Sequence, residues 1–289
     1  FYISINLGAF ISTLLTPFLL KFYGPSIAFG IPGILMFIAT IAFWMGRNVF
    51  IHIPPFSAKF FKDDLGLVKG IRSISKLFII YLFVAMFWAL FDQTGSTWII
   101  QSQKLNRVWL GVEWLPSQIQ AVNPIMILIL TPIFSYFLYP SLNKFFALTP
   151  LRKILIGLFL AVPSFLIIAI VEMWIEQGLQ PSIVWHIIAY AILTASEVLI
   201  SITCLEFSYT QAPNHLKSLV MGFFMMSVAI GNIFTAWINK FIINLDGTTK
   251  LEGPAYFYFF AFMMLLSAIG FIFVERFYKS RTYFQKELT

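Results

Sequence analysis

The chain has 289 residues, of which 60% are hydrophobic and 11% charged, with 34 Phe and a net charge of +7; its mean hydropathy is +0.87. A soluble domain carries roughly 25% charged and about 45–50% apolar residues, so this chain cannot cover a water-facing surface and belongs in a membrane. Its positive balance does not read as a nucleic-acid surface, which needs Lys and Arg gathered on a solvated domain, and is read instead as setting orientation.

About 20 mainly apolar residues cross ~30 Å of hydrocarbon as a helix. Eight such spans are predicted, at about 1–20, 26–46, 76–100, 118–139, 153–172, 183–207, 218–241 and 255–275. Runs of this length exclude the short strands of a barrel, so the fold class is an all-α polytopic membrane protein. Phe1 already lies inside an apolar stretch with no charged leader before it, and the chain is expected to be a fragment lacking its N-terminus. Turn residues punctuate the connections at Tyr23-Gly24-Pro25, Pro54-Pro55, Thr149-Pro150, Gln180-Pro181, Ala212-Pro213 and Gly253-Pro254.

Of the 19 Lys and Arg, 14 fall on one side of these spans and five, Lys21, Lys104, Arg107, Lys240 and Lys250, on the other. The richer side, which includes the C-terminus, is expected to be cytoplasmic. The basic connection at 47–75 reads either as an amphipathic segment at that interface or as a solvated linker.

Ionisable residues inside a membrane are costly and usually face a bundle interior or a water-filled path. Three of the 12 acids lie within the predicted spans: Asp92, Glu197 and Glu206. Helical steps of three and four align Tyr81, Ala85, Trp88, Asp92 and Ser96 on one face, and Tyr190, Thr194, Glu197, Ser201, Cys204 and Ser208 on another. A third stripe, Gln120, Asn123, Ile127, Thr131 and Ser135, is interrupted by Pro124 and Pro132, which can bend or open a helix. Taken singly, each stripe reads equally as helix-to-helix hydrogen bonding; together, two of them with a central acid, they favour a shared polar cavity. Glu206, nine residues from Glu197, falls on the opposite face and reads as structural.

Enzyme signals are weak. His52, His186 and His215 lie in or near connections and read as interfacial or solvated. No HExxH, GxSxG or glycine-rich phosphate loop occurs, so neither an enzyme nor a cofactor is expected. Cys204, the only cysteine, excludes an internal disulfide and reads as a small buried residue.

FYISINLGAF at 1–10, FGIPGILM at 29–36, FWALFDQTGSTW at 87–98, LEFSYTQAP at 205–213 and the pair Gly231-Asn232 run nearly end to end along the chain. With these motifs it closely resembles the proton-dependent oligopeptide transporter (POT) family of the major facilitator superfamily. The resemblance implies twelve helices in two six-helix bundles, of which this chain would hold helices five to twelve. Residues 1–46 would be the last two helices of the N-terminal bundle, 47–75 the cytoplasmic inter-bundle linker, and 76–289 the C-terminal bundle with a short tail. It further implies alternating access and import of di- and tripeptides driven by protons, the coupling ion. On the family pattern Glu197 contacts the peptide's terminal amine, Asn6 and Asn123 hydrogen-bond the peptide, and Asp92 is an acidic gate whose basic or histidine partners lie on N-terminal helices. Trp88 and the aromatic at Phe224 shape side-chain pockets.

Three departures stand out. Phe224 replaces a Trp found in many members, the 47–75 connection is too short for the extra helix pair of many bacterial ones, and the first-helix acidic and arginine motif is absent. The fragment alone is therefore not expected to transport. The resulting expectation is a proton–peptide symporter, a monomeric unit in a bacterial inner membrane. Its rivals are the same fold carrying nitrate or an amino-acid derivative, an intramembrane enzyme, and a binding-only receptor.

Overall fold

A computed structural model of the chain describes residues 2–50, 64–211, 217–242 and 249–278. Among them, eight segments are long and apolar enough to cross a membrane: Ile3–Tyr23, Pro25–Asn48, Leu77–Ser102, Pro116–Asn143, Pro150–Glu176, Val184–Gln211, Lys217–Ile242 and Pro254–Phe277. They agree with the predicted spans in number and order. His52, His215, Pro54, Pro55 and Pro213 lie outside the described residues.

The helices are α1 (Tyr2–Tyr23), α2 (Pro25–Met45), α3 (Asp64–Phe91), α4 (Thr97–Ser102), α5 (Val122–Ile133), α6 (Tyr139–Asn143), α7 (Pro150–Glu176), α8 (Val184–Glu197), α9 (Thr203–Gln211), α10 (Lys217–Ile242) and α11 (Pro254–Phe277). Three spans are compound. The third joins α3 to α4 through a 3-10 turn at Asp92–Gly95, and the sixth joins α8 to α9 through a π turn at Val198–Ile202. The fourth opens with a 3-10 turn at Pro116–Ala121 and carries a π turn at Phe134–Leu138 between α5 and α6. Pro132 leaves α5 helical, and the wide turn follows directly after it.

Helix starts fall where the punctuation puts them. Gly24 has φ 82°, open to glycine, and Pro25 takes the first helical position behind it. Thr149 accepts the Arg152 N–H ahead of Pro150. Within the predicted linker, α3 begins at Asp64 and runs on without a break into the third span. Leu67, Val68, Ile71 and Ile74 repeat at helical spacing without a proline, so nothing interrupts the backbone before the third span.

α7 runs through the centre of spans three to eight. Its Ile154, Leu158, Ala161, Phe165 and Ile168 are fully buried, and it packs on α8 and α11, while α3 packs on α10 and α11. Trp98 fills the middle of this core, with Tyr190 edge-on at 4.9 Å and Phe165 at 5.5 Å. α1 packs on α5 and on the Pro116–Ala121 turn, and α2 packs on α1.

The chain also forms a hairpin that helix periodicity does not anticipate. β1 (Val108–Trp109) and β2 (Val112–Glu113) pair antiparallel around Leu110 and Gly111, at φ 55° and 76°. Trp114 Nε1 donates to Trp109 O at 3.3 Å, and Arg107 pairs with Glu113 at 3.0 Å. Beside it, Asn106 exchanges backbone bonds with Pro181 and Ile183, linking two connections at one end of the bundle.

That end is also held by side chains. Gln101 Nε2 donates to Glu172 Oε2 at 2.6 Å and to Ile168 O at 3.1 Å, Lys104 reaches Glu172 Oε1 at 3.3 Å, and His186 Nε2 lies 2.7 Å from Gln101 Oε1. With its amide nitrogen committed to two acceptors, Gln101 turns its oxygen to His186, which makes Nε2 the protonated ring nitrogen. His186 is thus fully buried, not interfacial or solvated. α8 begins at Val184, which brings the histidine into the first turn, facing α4. Replacing Gln101 with Leu leaves Glu172 and His186 buried without their shared amide. The expected outcome is a lower thermal unfolding midpoint in detergent, equivalent to about 1–3 kcal/mol.

Candidate functional site

The two acids that the stripes singled out both sit at irregularities. Asp92 opens the 3-10 turn that ends α3, and Glu197 is the last α-helical residue before the π turn. Wide turns of this kind recur where a helix must present a functional group.

Glu197 is 6% exposed. Asn123, the second residue of α5, donates to Glu197 Oε2 at 2.7 Å and to Thr194 Oγ1 at 3.1 Å. The second and third stripes therefore face each other, with an amide spanning the acid and a hydroxyl one turn before it. In the same stripe, Tyr190 OH donates to Thr94 O at 3.1 Å. This bond connects the helix of Glu197 to the turn that carries Asp92.

The stripes do not stay on one face. Past the π turn, Cys204 and Ser208 are fully buried; Ser208 Oγ donates to Cys204 O and accepts from Tyr81 OH at 2.7 Å. A π turn inserts an extra residue and rotates everything beyond it by roughly 100°, so the last members of the Glu197 stripe face the core. Cys204 is the small buried residue expected, and Glu206 is exposed, away from the buried face of Glu197. On α3, Tyr81 and Ala85 are likewise core residues, whereas Trp88 and Asp92 are half-buried.

Asp92 Oδ2 accepts from Asn232 Nδ2 at 2.6 Å. Gly231 makes this contact possible, since a Cβ there would collide with Ala85 O and stand 2.8 Å from Ala89 N. Thr235 Oγ1 secures the same crossing by donating to Ala89 O at 3.0 Å. Asn232 is a site partner to which sequence reasoning gave no role, whereas Tyr190 and Thr194 belong to the stripe it drew around Glu197. The Gly231-Asn232 pair was the available signal: a small residue for close approach beside an amide at the point of contact.

The remaining residues take separate places. Trp88 packs against Phe87 at 5.3 Å and Phe91 at 5.5 Å, with its Nε1 buried. Phe224 is 3% exposed and meets Tyr81 edge-on at 6.1 Å, inside the bundle core. Asn6 is buried on α1, whose half-buried Phe10, Thr13 and Pro17 follow at steps of three and four. Gln118 Nε2, donating to Leu14 O at 3.1 Å, ties α1 to the start of the fourth span. Among the described residues, no group of three or more His, Cys, Asp or Glu is placed to hold a metal. A buried acid framed by an amide and a hydroxyl suits a proton or an ammonium group.

Comparison with known proteins points to one family. The family model described as "POT family" matches residues 1–69 and 64–252. Peptide transporter 3 of Caenorhabditis elegans is 30% identical over 225 residues, a match covering 62% of this chain and 31% of the relative. Peptide transporter family 1 of Drosophila melanogaster is 33% identical over 216 residues, covering 62% and 29%. The matches thus span about a third of the length of these curated relatives. The crystal structure of an auto-inhibited POT family peptide transporter superposes with a TM-score of 0.86 at 28% identity, covering 99% of this chain and 71% of that one. The in meso crystal structure of the POT family transporter PepTSo gives 0.84 at 29%, covering 95% and 70%.

Gly231→Ala tests the docking of α10 on α3. The added methyl should separate the helices and lower the thermal midpoint by the equivalent of about 1–3 kcal/mol, whereas the same change at Gly222, which has open space around it, should leave the midpoint unmoved.

Proposed function

The chain belongs to the POT family, and from that membership we propose that it supplies helices five to twelve of a proton-coupled symporter importing di- and tripeptides by alternating access. The observation that carries this reading is the buried Glu197 carboxylate, bonded by Asn123 at 2.7 Å inside a membrane span. In a low-dielectric interior an ammonium group is the natural partner for such an acid. Glu197 then holds the peptide's terminal amine, and Asn123 and Asn6 hydrogen-bond its backbone. Trp88 provides aromatic surface for its side chains, whereas Phe224, packed in the core against Tyr81, shapes the pocket only as the bundle opens.

Asp92 is the gate. Its partner in this structure is the neutral amide of Asn232, a bond it can exchange for a cation on an N-terminal helix or for a proton as the two bundles rock. Tyr190, bonded to Thr94, couples the two acids mechanically. The activity is transport with protons as the coupling ion, without covalent chemistry. The Lys and Arg distribution supports a cytoplasmic C-terminus, and the unit is a monomer in a bacterial inner membrane.

Radiolabelled dialanine uptake into proteoliposomes, using the intact transporter, tests this. Accumulation should require an inward proton gradient and vanish with a protonophore, and peptides should compete where nitrate and free amino acids do not. Glu197→Gln should raise the half-saturating peptide concentration about tenfold or more, as expected from losing a bond to a charged group worth about 1.5–3 kcal/mol. Wild-type uptake and coupling in that variant would overturn the assignment.

A further inference from the structure

Gly157 lies buried two turns into α7, where α7 meets the π turn of the sixth span. A Cβ on Gly157 would stand 2.6 Å from Ile200 Cγ1, 3.1 Å from Leu199 Cβ and 3.1 Å from the Ser196 carbonyl oxygen. The first of these is closer than real Cβ contacts come, so the bulged turn occupies the space that any other residue would fill. Immediately before the bulge, the fully buried Ser196 donates its Oγ to the Gly157 carbonyl at 2.7 Å. Glu197 therefore sits between two fixings on the same residue of α7: a hydrogen bond one position before it and a steric notch two and three positions after it.

A π turn is rare and less stable than the α-helix it interrupts, so it persists only where its surroundings favour it. Here the favouring element is the bare backbone of Gly157. If the turn relaxed to α-helical winding, α9 would rotate by roughly 100° about its axis. Tyr81, Ser208 and Cys204 would lose their contacts, and the end of α8 at Glu197 would shift against Asn123.

We infer that Gly157 is a positioning residue for the acid at Glu197: its missing side chain is the mould that keeps the wide turn and so aims the carboxylate at Asn123. The inference rests on the reading of Glu197 as the amine-binding acid. Gly157 itself makes no contact with the peptide.

Cys204, fully buried in the first turn of α9, reports on the turn without reference to substrate. The experiment compares Gly157→Ala, Ile200→Ala, the double variant and Glu197→Gln in the intact transporter, with Cys204 as the sole thiol. It measures the rate of Cys204 labelling by N-ethylmaleimide and the half-saturating peptide concentration. Gly157→Ala is expected to speed labelling about fivefold and raise half-saturation about tenfold, with maximal rate changed less than about threefold, as for a misplaced binding group. Ile200→Ala alone introduces no clash but opens a small cavity in the core, so it should lower the thermal midpoint while moving both readouts less than Gly157→Ala does. The double variant, which removes the closest clash, should bring both readouts back to within about threefold of wild type.

A folded Gly157→Ala protein with wild-type labelling and half-saturation overturns the inference, as does a double variant no closer to wild type than the single. Altered labelling with unaltered half-saturation, while Glu197→Gln does weaken the peptide, overturns the positioning role. If Glu197→Gln is silent as well, the amine-site reading falls and takes the positioning role with it.

Discussion

Within hydrocarbon, a polar side chain has only the rest of its own protein to bond with, and the arrangement of this chain follows from meeting that demand at a small number of positions. Several buried polar residues of the bundle interior reach a neighbouring helix or their own backbone. Gln101 serves Glu172 and His186, Asn123 serves Glu197 and Thr194, and Tyr81 reaches Ser208. Apolar packing alone orders such helices weakly, since lipid tails are as apolar as leucine. The polar bonds select which faces meet, and the aromatic core around Trp98 then fills the space between them.

The same demand explains where regularity gives way. Four of the eight spans contain 3-10 or π turns, and Asp92 and Glu197 lie at two of these irregularities. A strictly α-helical span would carry Asp92 or Glu197 on a fixed stripe. The breaks instead let one end of the span serve the core while the other serves a polar face. Backbone bonds made inside the tight or wide turn keep its cost in lipid small.

Much of this was legible in the residues. Eight apolar runs and the punctuation at Gly24-Pro25, Thr149-Pro150 and Gly253-Pro254 were enough to place the spans, because hydrophobic length and helix-start chemistry are local properties. The acids stood out for the same reason, as charges where charges are expensive. What periodicity could not convey was anything dependent on a second helix. The rotation at Val198–Ile202 carried Cys204 and Ser208 off their stripe, and the pairing of Asn232 with Asp92 joins residues 140 positions apart. His186 was misjudged because a histidine near a predicted helix start looks interfacial, and only Gln101, brought in from α4, shows why it can be buried neutral. The hairpin escaped because four residues of strand leave no periodic trace.

The hairpin end of the bundle is stitched across its connections by Asn106 and across its helices by Glu172, Gln101 and His186. Spans three, five and six are thus bound together at one pole, like rods gripped in a collar. Any tilt among them has its pivot at that pole and its largest sweep at the opposite one, where Tyr81 meets Ser208. A tilt that keeps the collar intact is therefore felt first at the far end, by the hydrogen bond between Tyr81 and Ser208.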